Sequence, residues 1–378
     1  MLLNEKYTQR LEKIEAVLNT WLPESPDIAW VEKVFGPFHS GQSAVSDSLL
    51  EQAKSLTRPA WDLINRGGKR WRPLLTVLVA EAIAGKNGIE AALPLTPLVE
   101  FPHTASLIHD DIEDNSNERR GKPAVHLIHG IDTSINSGSF MYFLPLACLN
   151  TWTKHQTLKD HVRMIWASHI RGLHLGQAMD ITWHRDFNSL PSLDDYDRMC
   201  RLKTGCLARF AAILGSFSGA FATEGNTEEF SESDSSVKAL TDTFGVAAEQ
   251  LGMGFQVLDD VKNLETGVPG KKQGDDIVEG KKSLPILLYL HRYPEKKDFA
   301  VRCFTEARSK GVAAPEVAEF ISALNGAGVL EEARGKALEY IKESRRVFSI
   351  PQVADFLITP DGRNLLTGLV DLLSDKSA

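Results

Sequence analysis

The chain is poor in cysteine, in positive charge and in long apolar runs, and each shortage removes a class of protein. Its four cysteines in 378 residues, Cys148, Cys200, Cys206 and Cys303, show neither metal-ligand spacing nor the density of a disulfide scaffold. That usage leads us to expect a reducing, cytoplasmic setting. A formal net charge of -8 argues against general affinity for nucleic acid or for an anionic membrane, so any anion must bind at a local basic cluster. Apolar stretches such as Leu74 to Ala84 and Phe140 to Leu149 fall short of the roughly 20 residues that cross a bilayer, and no transmembrane segment is expected. The N-terminal MLLNEKYTQRLEKIEAVL interleaves Glu5, Glu12 and Glu15 with basic residues and reads as a helix, not as a signal or transit peptide. Strict apolar-polar alternation is scarce as well, whereas apolar residues recur at helical spacing. An all-α fold follows.

What is present is an ordinary globular composition, 43% hydrophobic and 24% charged, which supports a sizeable core. There is no internal repeat. Turn-forming and polar stretches mark loops at Pro23 to Ser46, Thr223 to Ser236 and Thr266 to Lys282. We therefore divide the chain into an N-terminal helical extension and loop, 1–45, and a main domain, 46–378.

Two acidic segments carry the chemistry. In the first, Leu107, Ile108 and Ile112 give a helix its apolar side, and Asp110 and Asp114 share another face one turn apart. Like charges at i, i+4 repel each other, but two such carboxylates suit a divalent cation. Magnesium is commonly held by one or two carboxylates together with substrate phosphates. In the second segment, Leu251, Phe255, Leu258 and Val261 are expected to bury one stripe, while Gln256, Asp259, Asp260 and Asn263 form another. Either segment alone also reads as a solvated acidic face; the pair suggests two stripes facing one another.

Basic turns supply the complement. Gly67-Gly68-Lys69-Arg70-Trp71-Arg72-Pro73 closes one helix and places three cations before the next apolar run. Glycine lets backbone approach a ligand, lysine offers a point charge and arginine a bidentate fork for phosphate oxygens. Arg119-Arg120-Gly121-Lys122 is a second cluster; Lys203-Thr204-Gly205 and Lys272 are weaker ones, each also readable as solvated loop charge. Together the segments imply one anion bridged through metal and another held directly by cations. No Ser/His/Asp or Cys/His set accompanies them.

From about Ser46 to near the C-terminus the sequence resembles the trans-isoprenyl diphosphate synthases, also called polyprenyl synthetases. The resemblance rests on Gly67 to Pro73, Asp110 to Asp114, Arg119-Arg120-Gly121, Lys203-Thr204-Gly205, Phe255 to Asp260 and the Lys272 to Asp276 loop, in that order. It implies a single large bundle of long helices around a central cavity, the isoprenoid synthase fold, usually as a homodimer. It implies magnesium, three ions, with Asp110, Asp114 and Asp259 as ligands and Asp111 and Asp260 in support. Lys69, Arg72, His103 and Arg120 would hold isopentenyl diphosphate. Arg119, Lys203, Thr204, Gln256, Lys272 and Lys281 would contact the allylic diphosphate, Lys203 also standing among the catalytic residues. The implied reaction ionises the allylic diphosphate and adds isopentenyl diphosphate head to tail, with no side-chain base.

The second segment departs from the common pattern by ending in neutral Asn263. That feature, with Gln177 to Trp183 and Ile135-Asn136-Ser137, resembles eukaryotic-type geranylgeranyl diphosphate synthases. Product length is expected to depend on Pro102, Ala105 and Ser106, one to two turns before Asp110, and the small Ala105 and Ser106 favour C20 over C15. Pro102 is expected either to kink that helix or to start it. Alternatives are a farnesyl or longer-chain synthase, a class I terpene cyclase, and a silent regulatory subunit.

Overall fold

The computed structural model describes residues 5–36, 46–153, 155–223, 231, 234–267 and 272–377. Parts of the three expected loops, 37–45, 224–230 with 232–233, and 268–271, lie outside the described residues. Helices follow one another as α1 (Glu5–Trp21), α2 (Ile28–Phe35), α3 (Asp47–Asn65), α4 (Trp71–Ala92), α5 (Pro97–Glu113), α6 (Val125–His129), α7 (Ile131–Leu149), α8 (Gln156–Arg185) and α9 (Leu193–Cys200). They continue as α10 (Cys206–Thr223), α11 (Ser235–Glu265), α12 (Asp275–Glu279), α13 (Leu284–Arg292), α14 (Lys297–Lys310), α15 (Pro315–Gly326), α16 (Val329–Phe348) and α17 (Pro360–Ser377). The strands among the described residues form two short antiparallel hairpins, β1 (Glu118–Arg119) with β2 (Lys122–Pro123) and β3 (Gln352–Val353) with β4 (Phe356–Leu357). The all-α class holds.

Two compact units share the chain. The first comprises residues 1–166, 211–241 and 352–365, so the α1 and α2 helices of the N-terminal segment set apart on sequence grounds pack within it. There α5 packs most extensively on α7, burying Val99, Phe101, Ile108, Met141 and Leu144. The α2 helix falls where only a loop was expected. Asp27 caps it by accepting the Trp30 N–H at 2.8 Å, the Trp30 indole donates to the Trp21 carbonyl at 2.9 Å, and Phe35 stacks on Phe140. Such an eight-residue helix owes its stability to packing more than to propensity. Pro102 lies inside α5, whose first residue is Pro97, so it does not start the helix.

The second unit comprises 167–210, 242–351 and 366–378. Its α13 packs on α16, and α14 packs on α12 and α15 around Phe304 and Phe320, whose rings lie 5.6 Å apart. Ser192 and Asp195 form a reciprocal capping box that starts α9. The run Leu193–Thr223 is long and apolar enough to cross a membrane, contrary to the expectation from the two shorter stretches, but 89% of its apolar window is buried inside the protein.

Candidate active site

In the first unit, α3 ends at Asn65 and the chain turns through Gly67 and Gly68, both at positive φ, and through Arg70, a left-handed residue at φ 46° that caps α4. A Cβ on Gly68 would lie 2.9 Å from guanidinium nitrogens of both Arg70 and Arg120, and its φ of 146° favours glycine where these two cations converge. Arg120 arrives from the β1–β2 hairpin, where it and Gly121 adopt positive φ, the pairing typical of a tight two-residue hairpin turn. Its guanidinium donates to the carbonyls of Leu63 and Gly67. Burial brings its pKa down to about 10; Glu100 opposes that fall, and Arg70, Arg119 and Arg66 add to it.

Arg72, at the start of α4, stacks over Trp71 and lies 3.4 Å from His103 Nε2. Arginine can only donate, so Nε2 is the accepting nitrogen. Burial first, then the charges of Arg72, Arg120, Arg70 and Arg119, hold His103 well below its usual pKa and keep it neutral. The result is a crowd of cations whose mutual repulsion a bound polyanion would relieve.

Beside it, the last turn of α5 presents Asp110 and Asp114, both half-buried, while Asp111 is 0% exposed and turned inward. Arg119 donates to Asp111 Oδ1 through Nε at 2.8 Å and again through Nη2, and it lies 3.7 Å from Asp110. Burial raises the Asp111 pKa and Arg119 restrains that rise. Among the described residues no three His, Cys, Asp or Glu side chains converge on one point. The half-buried carboxylates of Asp110 and Asp114 are hard oxygen donors one turn apart, a set that fits a cation completing its shell with ligand oxygens, as magnesium does.

The second unit carries the other residues. Asp260 is buried, with Oδ2 accepting from the Tyr196 hydroxyl at 2.7 Å and Oδ1 from Gln256 Nε2 at 2.8 Å. Thr204 in turn donates to Gln256 Oε1 at 2.9 Å. Burial pushes Asp260 up to about 6, hydrogen bonds from Gln256 and Tyr196 restrain the rise, and Asp259 adds to it. Lys203 sits in a π-helical turn, Arg201–Gly205, and donates to buried Asp180 of α8; a Cβ on Gly176 would strike the Lys203 backbone nitrogen at 2.5 Å. Lys281 pairs with Glu279 at 2.7 Å, and the Lys272 N–H donates to Asp275 at 2.6 Å.

The expected acidic stripe of α11 needs correction. Asp260 and Asn263 are buried, and Phe255, assigned to the apolar stripe, is partly exposed. Asn263 serves as a clip for the following loop: its carbonyl accepts the Gly274 N–H at 2.9 Å and its side-chain oxygen the Asp276 N–H at 3.2 Å. Sequence reasoning also missed Asp180, Tyr196 and Lys282. Lys282 is 2% exposed, donates to the Gly280 carbonyl and lies over Phe304 at 4.3 Å; burial lowers its pKa to about 8. Buried partners distant in sequence leave no periodic signal, though an aspartate such as Asp180, facing the packed side of an otherwise amphipathic helix, was a usable hint.

The polyprenyl synthetase family model matches residues 53–321. A geranylgeranyl pyrophosphate synthase of Claviceps paspali is 31% identical over 306 residues, covering 80% of this chain and 82% of that protein. A geranylfarnesyl diphosphate synthase of Aeropyrum pernix is 28% identical over 324 residues, covering 83% and 92%. Among solved structures, a polyprenyl synthase from Caulobacter crescentus complexed with calcium and isoprenyl diphosphate aligns with a TM-score of 0.74 at 26% identity, over 98% of this chain and 96% of that one.

Proposed function

The chain belongs to the polyprenyl synthetase family and is a prenyltransferase; from that premise we propose that it joins isopentenyl diphosphate head to tail to dimethylallyl, geranyl or farnesyl diphosphate, chiefly to give geranylgeranyl diphosphate. The observation that carries the reading is the cation cluster of Arg70, Arg72 and Arg120 beside the half-buried carboxylates of Asp110 and Asp114, the setting for one directly held diphosphate and one bridged by metal. Lys69, Arg72, His103 and Arg120 take isopentenyl diphosphate. Arg119, Lys203, Thr204, Gln256, Lys272 and Lys281 take the allylic diphosphate.

Magnesium, three ions by resemblance, would be held by Asp110, Asp114 and Asp259 and, when bound, neutralises charge developing on the departing diphosphate. Asp111 and Asp260 face away from that role; each orients its neighbour from a buried, hydrogen-bonded position. Ala105 is buried and small, which supports a chain longer than C15, and the Aeropyrum relative marks longer products as the main rival. The exposed Leu127, Ile128, Ile131, Ile135 and Phe143 on α6 and α7 support a homodimer, and four free, buried cysteines support a cytoplasmic setting.

The deciding experiment is product analysis with labelled isopentenyl diphosphate and each of the three primers, with and without magnesium. C20 should dominate, metal removal should abolish it, and Ala105→Phe should shorten it. Mostly C15 product from the wild type would overturn the chain-length reading, and turnover of allylic substrate alone would mark a cyclase.

A further inference from the structure

Helix α1 lies outside the residues that the family match covers, yet it supplies one of the two carboxylates that hold Arg70. Arg70 is only 6% exposed and sits in left-handed backbone, a conformation that is unfavourable for a residue with a Cβ and persists only when the surroundings impose it. The surroundings do so completely. Its Nε donates to Glu15 Oε1 at 2.8 Å, its Nη1 to Glu100 Oε1 at 3.1 Å and weakly to the Gly67 carbonyl, and its Nη2 to the Ile64 carbonyl. With all three nitrogens engaged, Arg70 serves as a post for the turn.

Arg120 leans on the same post. Its guanidinium, like that of Arg70, lies 2.9 Å from where a Cβ on Gly68 would stand and also donates to the Gly67 carbonyl, so the two arginines share one turn and their charges repel. Glu100 pairs with Arg70 and its negative charge also supports the charged form of Arg120, while Glu15 is the second carboxylate on Arg70. Helix α1 is anchored independently of Glu15. Tyr7, Ile14, Leu18 and Trp21 are buried, Arg10 pairs with Glu81, Lys13 with Glu90, and the Tyr7 hydroxyl donates to the Leu365 carbonyl at 3.0 Å.

We propose that Glu15 is a positioning residue for the isopentenyl diphosphate site, fixing Arg120 through Arg70 and so making the N-terminal helix a working part of the enzyme. The inference rests on the assignment of Lys69, Arg72, His103 and Arg120 to that substrate. In the full-length protein, Glu15→Gln should raise KM for isopentenyl diphosphate about tenfold and leave kcat and the allylic KM within twofold. Glu15→Asp, which restores the charge, should recover most of the loss. Lys13→Gln, which breaks a neighbouring ion pair of the same helix, should change neither KM.

Direct binding of isopentenyl thiodiphosphate, measured calorimetrically without metal, separates the two levels of the argument. Failure of the wild type to bind would defeat the site assignment. Equal binding by wild type and Glu15→Gln, or an equal rise in both KM values, would defeat the role of Glu15 while leaving the assignment intact. Should Glu15→Gln not fold, Glu15→Met, which keeps much of the side chain's length without its charge, takes its place, and an unchanged isopentenyl diphosphate KM in that variant counts against the proposal.

Discussion

In each Asp-Asp segment the first aspartate is partly exposed and the second is withdrawn, yet the withdrawn carboxylates have opposite kinds of neighbour. Asp111 of the first unit is met by a cation, Arg119, on a single oxygen, and its buried Oδ2 accepts no hydrogen bond among the described residues. Asp260 of the second unit is met by neutral donors, Tyr196 and Gln256, one on each oxygen. An ion pair compensates the buried charge but makes its two members interdependent; neutral donors leave the charge only partly compensated and let it titrate near neutrality. One dipeptide thus yields two electrostatic devices according to what packs against it.

The sharpest break in the symmetry should come from the exposed members. Asp110→Ala should lower kcat by roughly 10³-fold, since both the proposed metal ligand and the restraint on Arg119 are lost, whereas Asp259→Ala should cost nearer 10²-fold. Steady-state assays at saturating magnesium decide it, and equal losses would show that the two segments share the work. A smaller but still large contrast lies in stability. Arg119→Met strands the Asp111 carboxylate and should cost about 3 to 5 kcal/mol by denaturant titration, while Tyr196→Phe, which removes one neutral donor, should cost about 1 kcal/mol.

The last contrast is in pH dependence. Asp260 titrates at about 6 when folded against about 3.9 when unfolded, so between those values the native state keeps a proton that the unfolded chain has released. Stability is therefore lost as pH rises through that window, by roughly 1 to 3 kcal/mol, and is flat above it. In metal-free buffer, Asp260→Asn should remove this slope in melting curves taken from pH 4 to pH 7. A slope that survives the substitution would place the titrating group elsewhere.

Much of this was legible beforehand because it is local. The one-turn spacing of Asp110 and Asp114, the Gly67-Gly68 turn and the arginine pair each declare themselves within a few residues. What escaped is what the third dimension supplies. A helical wheel places Asp260 and Asn263 on one stripe of α11, but that Tyr196 and the loop through Gly274 and Asp276 cover the stripe is not a periodic property. Glu15 and Arg70 are 55 residues apart, Asp180 and Lys203 are 23 apart, and neither separation carries a pattern. The helices α2 and α12 were hidden inside expected loops for a related reason: eight and five residues are too few to announce a period.

The apolar stretch inside Leu193–Thr223 has a cost that appears only when the protein is not folded. That stretch is harmless while the core encloses it, but an unfolded or nascent chain displays it as exposed apolar surface. Heating this enzyme should therefore end in aggregation before refolding can compete, which makes its shelf life a matter of unfolding rate more than of equilibrium. Within the cell the same segment places a premium on prompt folding or chaperone cover, so a lesion that only slows folding could deplete the enzyme without touching its chemistry.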